Sequence, residues 1–121
     1  MQIIESSSLN AANGTPVRVI AVSGRIDQSS ADTFDKALKP FLDTCRSDEP
    51  PLIIDFSGVD YISSVGLRVL MLASRQVKTQ SGRIGIAALT PVVAEVFQIS
   101  RFNLVFQVFA TQEAAAAALS A

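Results

Sequence analysis

Short apolar runs of strand length alternate with segments of helical spacing along this chain, and that alternation leaves few possible folds. Residues 16–23, 52–56, 83–89 and 105–109 are the main strand-length runs, and each is followed by a segment whose apolar residues recur at helical spacing. Strands separated by helices of about 10–16 residues pair in parallel, because the crossover helix returns the chain to the same end of the sheet. At 121 residues there is chain for one core, and no linker or internal repeat divides it. The reading is therefore one α/β domain over residues 1–121.

Residues 16–23 alternate around Val17, Val19 and Ala21, and Ile20 and Val22 are also apolar, which predicts a strand buried on both faces. A shorter strand over 2–7 precedes it. The turn-like residues 10–14 between them include Asn13-Gly14, a hairpin signal that makes these two strands antiparallel. Ser29 or Ser30 caps a helix carrying Ala31, Phe34, Ala37, Leu38, Phe41, Leu42 and Cys45 on its apolar stripe. Pro40 predicts a kink or a restart in it. The strand at 52–56 is ended by Ser57-Gly58, and a helix follows over 65–80 with Gly82 placed to terminate it. Thr90-Pro91 reads as a cap and first helical position, opening a helix through about Ile99. Thr111 caps a last, alanine-rich helix over 114–119. The order β β α β α β α β α describes a small mixed sheet with helices packed on it.

Composition narrows function by exclusion. Ten basic and eleven acidic residues give a net charge of −1, without the basic footprint of a nucleic-acid binder. No polybasic run suits a membrane surface, and no apolar stretch approaches the roughly 18 residues that cross a bilayer. Met1-Gln2-Ile3-Ile4-Glu5 has neither a basic start nor an apolar signal core, and a single cysteine, Cys45, makes no internal disulfide. Both point to a cytoplasmic protein, with Cys45 as a small core residue. The chain has no histidine, which removes Ser-His-Asp and Cys-His nucleophiles and, with one cysteine, a zinc site.

Functional groups of an open α/β sheet collect where strand C-termini meet helix N-termini. Here that place is 52–67, which presents Asp55, Asp60, Ser63, Ser64 and Gly66 in quick succession, and beside it Gly24-Arg25-Ile26-Asp27. One serine of the Ser63-Ser64 pair suffices as a helix cap, a role worth about 1 kcal/mol. The second hydroxyl is surplus. Gly66 lies in the first helical turn, where alanine is better by roughly 1 kcal/mol, and this predicts close approach of another backbone or of a partner. A phosphate on either serine would sit at the positive end of the helix while adding about −1.5 to −2 charge to anything docking there. Asp55 and Asp27 each end a strand, so they either cap local backbone or share one sheet edge at a functional surface. Arg68, on the first exposed turn, meets solvent or a partner. Catalysis fails on composition: Ile62-Ser63-Ser64-Val65-Gly66 lacks the first glycine of a nucleophile elbow, and Lys36, Lys39 and Lys78 lie on predicted helices with no link to the turn. No Gly-Lys-Ser/Thr run marks a phosphate-binding loop. No cofactor is implied.

Residues 55–67, Asp-Phe-Ser-Gly-Val-Asp-Tyr-Ile-Ser-Ser-Val-Gly-Leu, resemble the signature of STAS domains, in particular the bacterial anti-sigma factor antagonists. The resemblance extends to Gly24-Arg25-Ile26-Asp27, to Gly82-Arg83-Ile84, and to Pro91, Val96-Phe97 and Ile99-Ser100-Arg101-Phe102, in the family order. It implies a non-enzymatic binding module. Such a module holds a serine-kinase anti-sigma factor when unphosphorylated, is released when that kinase phosphorylates it, and is restored by a serine phosphatase. Alignment on Gly66-Leu67 puts the phosphoacceptor on Ser64, with Ser63 as the alternative because it stands where the family often has aspartate. The implied partner surface comprises Gly24, Asp27, Asp55, Ser63, Ser64, Val65, Gly66 and Arg68, on a monomer or weak dimer. Scaffold or sensor modules and small-ligand or nucleotide-binding domains of the same family are the alternative roles.

Overall fold

The computed structural model describes residues 2–10 and 14–120. Five strands form one sheet in the order β1-β2-β3-β4-β5. They are β1 (Gln2–Asn10), β2 (Pro16–Ile26), β3 (Leu52–Ile62), β4 (Ile84–Ala87) and β5 (Val108–Phe109). β1 pairs antiparallel with β2, and every other neighbouring pair is parallel. The helices are α1 (Ala31–Asp43), α2 (Ser64–Thr79), α3 (Pro91–Ile99) and α4 (Gln112–Leu119), with a 3-10 turn at Phe102–Leu104. The element order is the predicted one with that turn added. Of the predicted hairpin turn, Gly14 adopts φ +84°, while residues 11–13 lie outside the described residues.

One face of the sheet carries Ile20, Val22, Ile54, Phe56 and Ile86, packed with Phe34, Leu38 and Leu42 of α1, Leu70 and Val77 of α2, and Val93 and Phe97 of α3. The opposite face presents Val17, Val19, Ile53 and Ala87 to Ala115, Ala116 and Leu119 of α4. Because β2 and β3 are covered on both sides, their sequences read as continuous apolar runs. Cys45 is buried as expected, although it follows α1 rather than lying on it. Among the described residues no helix is long and apolar enough to cross a membrane.

Four local expectations are corrected, each for a packing reason. α1 runs unbroken through Pro40, which falls in the last turn on the exposed side, where the lost N–H faces water. Ser57-Gly58 does not end β3. The register with β2 slips between Ala21↔Asp55 and Ser23↔Gly58, so one extra residue bulges and the strand continues to Ile62. A Cβ on Gly58 would stand 2.8 Å from Ser23 Cβ, which is why glycine occupies that crossing. Gly82 is not the left-handed residue that terminates α2; Ser81 is, with φ 60°. Gly82 is needed because a Cβ there would come within 2.3 Å of the Cys45 carbonyl oxygen. The strand predicted at 105–109 shrinks to β5, since the chain first makes the 3-10 turn that stacks Phe102 on Phe106.

Candidate functional site: the β3–α2 turn

The ends of β2 and β3 lie side by side, with Ile26 paired to Ile62. The Ser63 N–H extends that ladder by donating to the Ile26 carbonyl at 2.8 Å. Ser63 therefore stays extended (φ −89°, ψ 173°), and the chain turns into α2 immediately afterwards. Its hydroxyl accepts the Gly66 N–H at 3.3 Å, and its carbonyl accepts the Leu67 N–H at 2.9 Å, the first bond of the helix. Ser63 is thus the N-cap. Ser64 is the first helical residue; its side chain is exposed and its hydroxyl has no partner among the described residues.

Val65 is 40% exposed and Arg68 is exposed, so both face outward next to Ser64. Gly66 does not. It is buried, and a Cβ on it would lie 2.7 Å from Ile26 Cγ2 and 2.8 Å from Ile62 Cγ1. The clearance expected for a partner is used inside the protein, to let α2 start directly above the paired ends of β2 and β3.

The neighbouring corner is built around Asp27. One carboxylate oxygen accepts from the Ser29 hydroxyl at 2.7 Å, the Ser29 N–H at 3.0 Å and the Ser30 N–H at 3.2 Å. The other accepts from Arg25 Nε at 3.1 Å. The Ser29 hydroxyl, then Arg25 and the two backbone donors, outweigh partial desolvation and bring the Asp27 pKa down to about 2. Asp27 therefore serves the start of α1, a duty the sequence assigned to Ser29 or Ser30. The Ser30 hydroxyl instead donates to the Arg25 carbonyl at 2.8 Å. Gly24 is not in a loop after the strand: β2 runs through it at φ +99°, next to the second register slip. The Arg25 guanidinium lies over the Tyr61 ring, 4.1 Å from its centroid. Neither residue was among the predicted site residues; the Arg25↔Tyr61 register is what joins them, and it is visible only once β2 and β3 are paired.

Asp55 does not join this surface. It is 8% exposed and sits opposite Ala21, well back from Asp27. One oxygen accepts the Ser57 N–H at 2.8 Å and the other accepts from the Gln112 side-chain amide of α4. Burial raises its pKa, but the bonds from Ser57 and Gln112 prevail and the net shift is downward. Its task is to fasten α4 to the sheet, so no carboxylate pair forms at the edge. Thr90, read as a cap, makes no cap bond either; its hydroxyl donates to the Val59 carbonyl at 2.8 Å and ties the start of α3 to β3. Among the described residues no cluster of three or more His, Cys, Asp or Glu side chains could hold a metal ion.

The STAS domain family model matches residues 8–115, and the chain belongs to that family. It is similar to BtrV of Bordetella bronchiseptica, a protein carrying the name of an anti-sigma factor antagonist. The two are 35% identical over 100 residues, covering 83% of this chain and 84% of BtrV. Its fold is that of an anti-sigma factor antagonist from Mycobacterium paratuberculosis, with a TM-score of 0.78 at 24% identity over 99% of this chain and 96% of that one. It is also that of the Bacillus cell-fate determinant SpoIIAA, solved in its phosphorylated form, with a TM-score of 0.62 at 18% identity over 94% and 96% of the two chains.

Proposed function

We propose that this protein is an anti-sigma factor antagonist whose binding of a serine-kinase anti-sigma factor is switched off by phosphorylation of Ser64. The carrying observation is the division of labour in the serine pair. The Ser63 hydroxyl is engaged by the Gly66 N–H, whereas the Ser64 hydroxyl is exposed and unbonded among the described residues. A kinase can reach Ser64 without first breaking a cap. The relation to BtrV and the likeness to SpoIIAA, which has been solved phosphorylated, support the same reading.

The consequences of the modification follow from the geometry. A phosphate on Ser64 stands at the positive end of a sixteen-residue helix, beside the backbone N–H groups that precede the first intrahelical bond, and the fold tolerates it there. The same group adds about two negative charges and a hydration shell to the surface formed by Asp27, Ser64, Val65 and Arg68. A partner seated on that surface must desolvate the phosphate or leave. A serine phosphatase resets the switch by hydrolysing the ester. Gly24 and Gly66 support this surface from within, and the protein itself performs no chemistry in this cytoplasmic cycle.

The test is incubation with the kinase and ATP, followed by peptide mass spectrometry. One phosphate is expected, on Ser64, and it is absent from Ser64→Ala. Full phosphorylation of both Ser64→Ala and Ser63→Ala would refute the assignment.

A further inference from the structure

The end of α2 opposite Ser64 borders a cavity of about 150 Å³, bounded by the close of that helix, the start of β4, the chain leading into β5 and the end of α4. Its apolar lining comes from Val77, Ile84, Phe106 and Leu119, of which Val77, Phe106 and Leu119 are buried. Lys78 and Arg83 also line it, and among the described residues no acidic side chain does. Nothing within the fold balances these two charges. Lys78 is exposed and makes no hydrogen bond or ion pair among the described residues. The last carbonyls of α2 do not need it, since those of Gln76, Val77 and Lys78 already accept the N–H groups of Gln80, Gly82 and Ser81. Arg83 donates from Nη1 to the Leu119 carbonyl at 2.7 Å, which anchors its guanidinium beside the cavity, and no acid pairs with it among the described residues.

We propose that this cavity binds a small carboxylate with a ring-sized apolar body, the ring against Val77, Phe106 and Leu119 and the carboxylate between Lys78 and Arg83. A cavity of that volume admits a benzene-sized body, and apolar walls alone would take a neutral one. The two cations add the requirement for negative charge. Without a counter-ion they repel each other, and an anion between them removes that repulsion. A guanidinium already held on one side presents its remaining N–H groups as a planar fork, which matches the two oxygens of a carboxylate. The ammonium supplies a second, more mobile charge. A nucleotide is too large, since pockets that enclose molecules of that order begin at roughly 300 Å³. The site is independent of the function proposed above, because about 21 Å of helix separates Lys78 from Ser64.

The experiment is a titration of the full chain with sodium benzoate, followed through the backbone amide shifts by two-dimensional NMR. Saturable shifts are expected at Lys78, Gly82, Arg83 and Gln107 with a Kd of about 1 mM, the affinity open to a ligand of so few atoms. Arg83→Gln, whose amide can still donate to the Leu119 carbonyl, and Lys78→Gln are each expected to raise Kd about fivefold or more. Arg75→Gln removes the same charge from an exposed position of α2 that does not line the cavity, and should change Kd less than twofold. If Arg83→Gln fails to fold, Lys78→Gln, at an exposed position, decides the question alone. Benzyl alcohol, the neutral counterpart, should bind about fivefold more weakly or worse; equal binding would show that the cations recognise nothing and overturn the proposal. Inorganic phosphate shifting the same amides at the same concentration would make the cavity a site for any anion and overturn the role of the ring. Benzoate shifts that do not saturate, or that both charge variants leave unchanged, would overturn the site itself.

Discussion

Ser63 Oγ accepts the backbone N–H of Gly66 at 3.3 Å, and that bond separates the two adjacent serines at the start of α2 into one that holds the helix and one that faces solvent. The Ile26 carbonyl reinforces the separation by holding Ser63 in the β2–β3 ladder through its N–H.

The two serines should therefore respond differently to alanine. Ser63→Ala is expected to lower stability by about 1 kcal/mol, the usual cost of a lost N-cap, while still accepting phosphate on Ser64. Ser64→Ala should leave stability within about 0.5 kcal/mol and abolish phosphorylation. Urea denaturation together with intact-mass analysis after kinase treatment reads both quantities. Phosphorylation of Ser63 in the Ser64→Ala protein at the wild-type rate would contradict the division.

Gly66→Ala should destabilise even though alanine is the better helix former by about 1 kcal/mol. The added methyl meets Ile26 Cγ2 and Ile62 Cγ1 at under 3 Å. Both belong to β-branched side chains with little rotamer freedom, and overpacking of this kind costs about 1–3 kcal/mol. A Tm several degrees below the wild type is expected by calorimetry. An unchanged or higher Tm would mean that the isoleucines can move aside.

Acid should weaken the corner that carries Asp27. Its carboxyl titrates at about 2 in the folded protein and at about 3.8 when unperturbed. A depressed folded pKa contributes stability that is complete above the unfolded value and is lost as pH falls from about 4 towards 2. Asp55, also shifted downward, contributes with the same sign. Thermal melts between pH 2 and 5 should show a shallower decline for Asp27→Asn than for the wild type. Parallel curves would remove Asp27 as a source of acid sensitivity.

The carboxylate of Asp55 is one of two side-chain ties on α4, the other being Arg83, whose guanidinium donates to the Leu119 carbonyl at 2.7 Å. Gln112→Ala removes the side-chain donor to Asp55 and should cost about 1.5–3 kcal/mol, the range for a hydrogen bond to a charged group. Because α4 rests on the sheet through little more than Ala115, Ala116 and Leu119, hydrogen exchange in α4 should accelerate more than in α2. Equal protection of α4 in variant and wild type would show that the apolar contacts suffice.

What was legible in the sequence was whatever local spacing encodes. The alternation of strand and helix, the burial of 16–23 and 52–56, the Thr111 cap with its bond from the Ala114 N–H, and the prominence of the serine turn all follow from periods and caps within a few residues. Local signals failed where a distant segment supplied the reason. Ser57-Gly58 carries the composition of a strand end, yet pairing with β2 carries the strand across it as a bulge. Asp27 and Asp55 look alike, each an acid closing an apolar run. One gathers the donors at the head of α1, and the other is claimed from the opposite face of the sheet by Gln112.

The Tyr61–Leu67 turn shows the boundary most clearly. The sequence by itself determined that two hydroxyls stand at the start of a helix after a buried strand, because that depends on order and periodicity alone. Only the tertiary structure decided which hydroxyl is engaged and why glycine follows. The Ile26 carbonyl holds Ser63 extended, and the side chains of Ile26 and Ile62 occupy the space a Cβ on Gly66 would need. Those neighbours come from another strand, and their positions are set by how β2 pairs with β3.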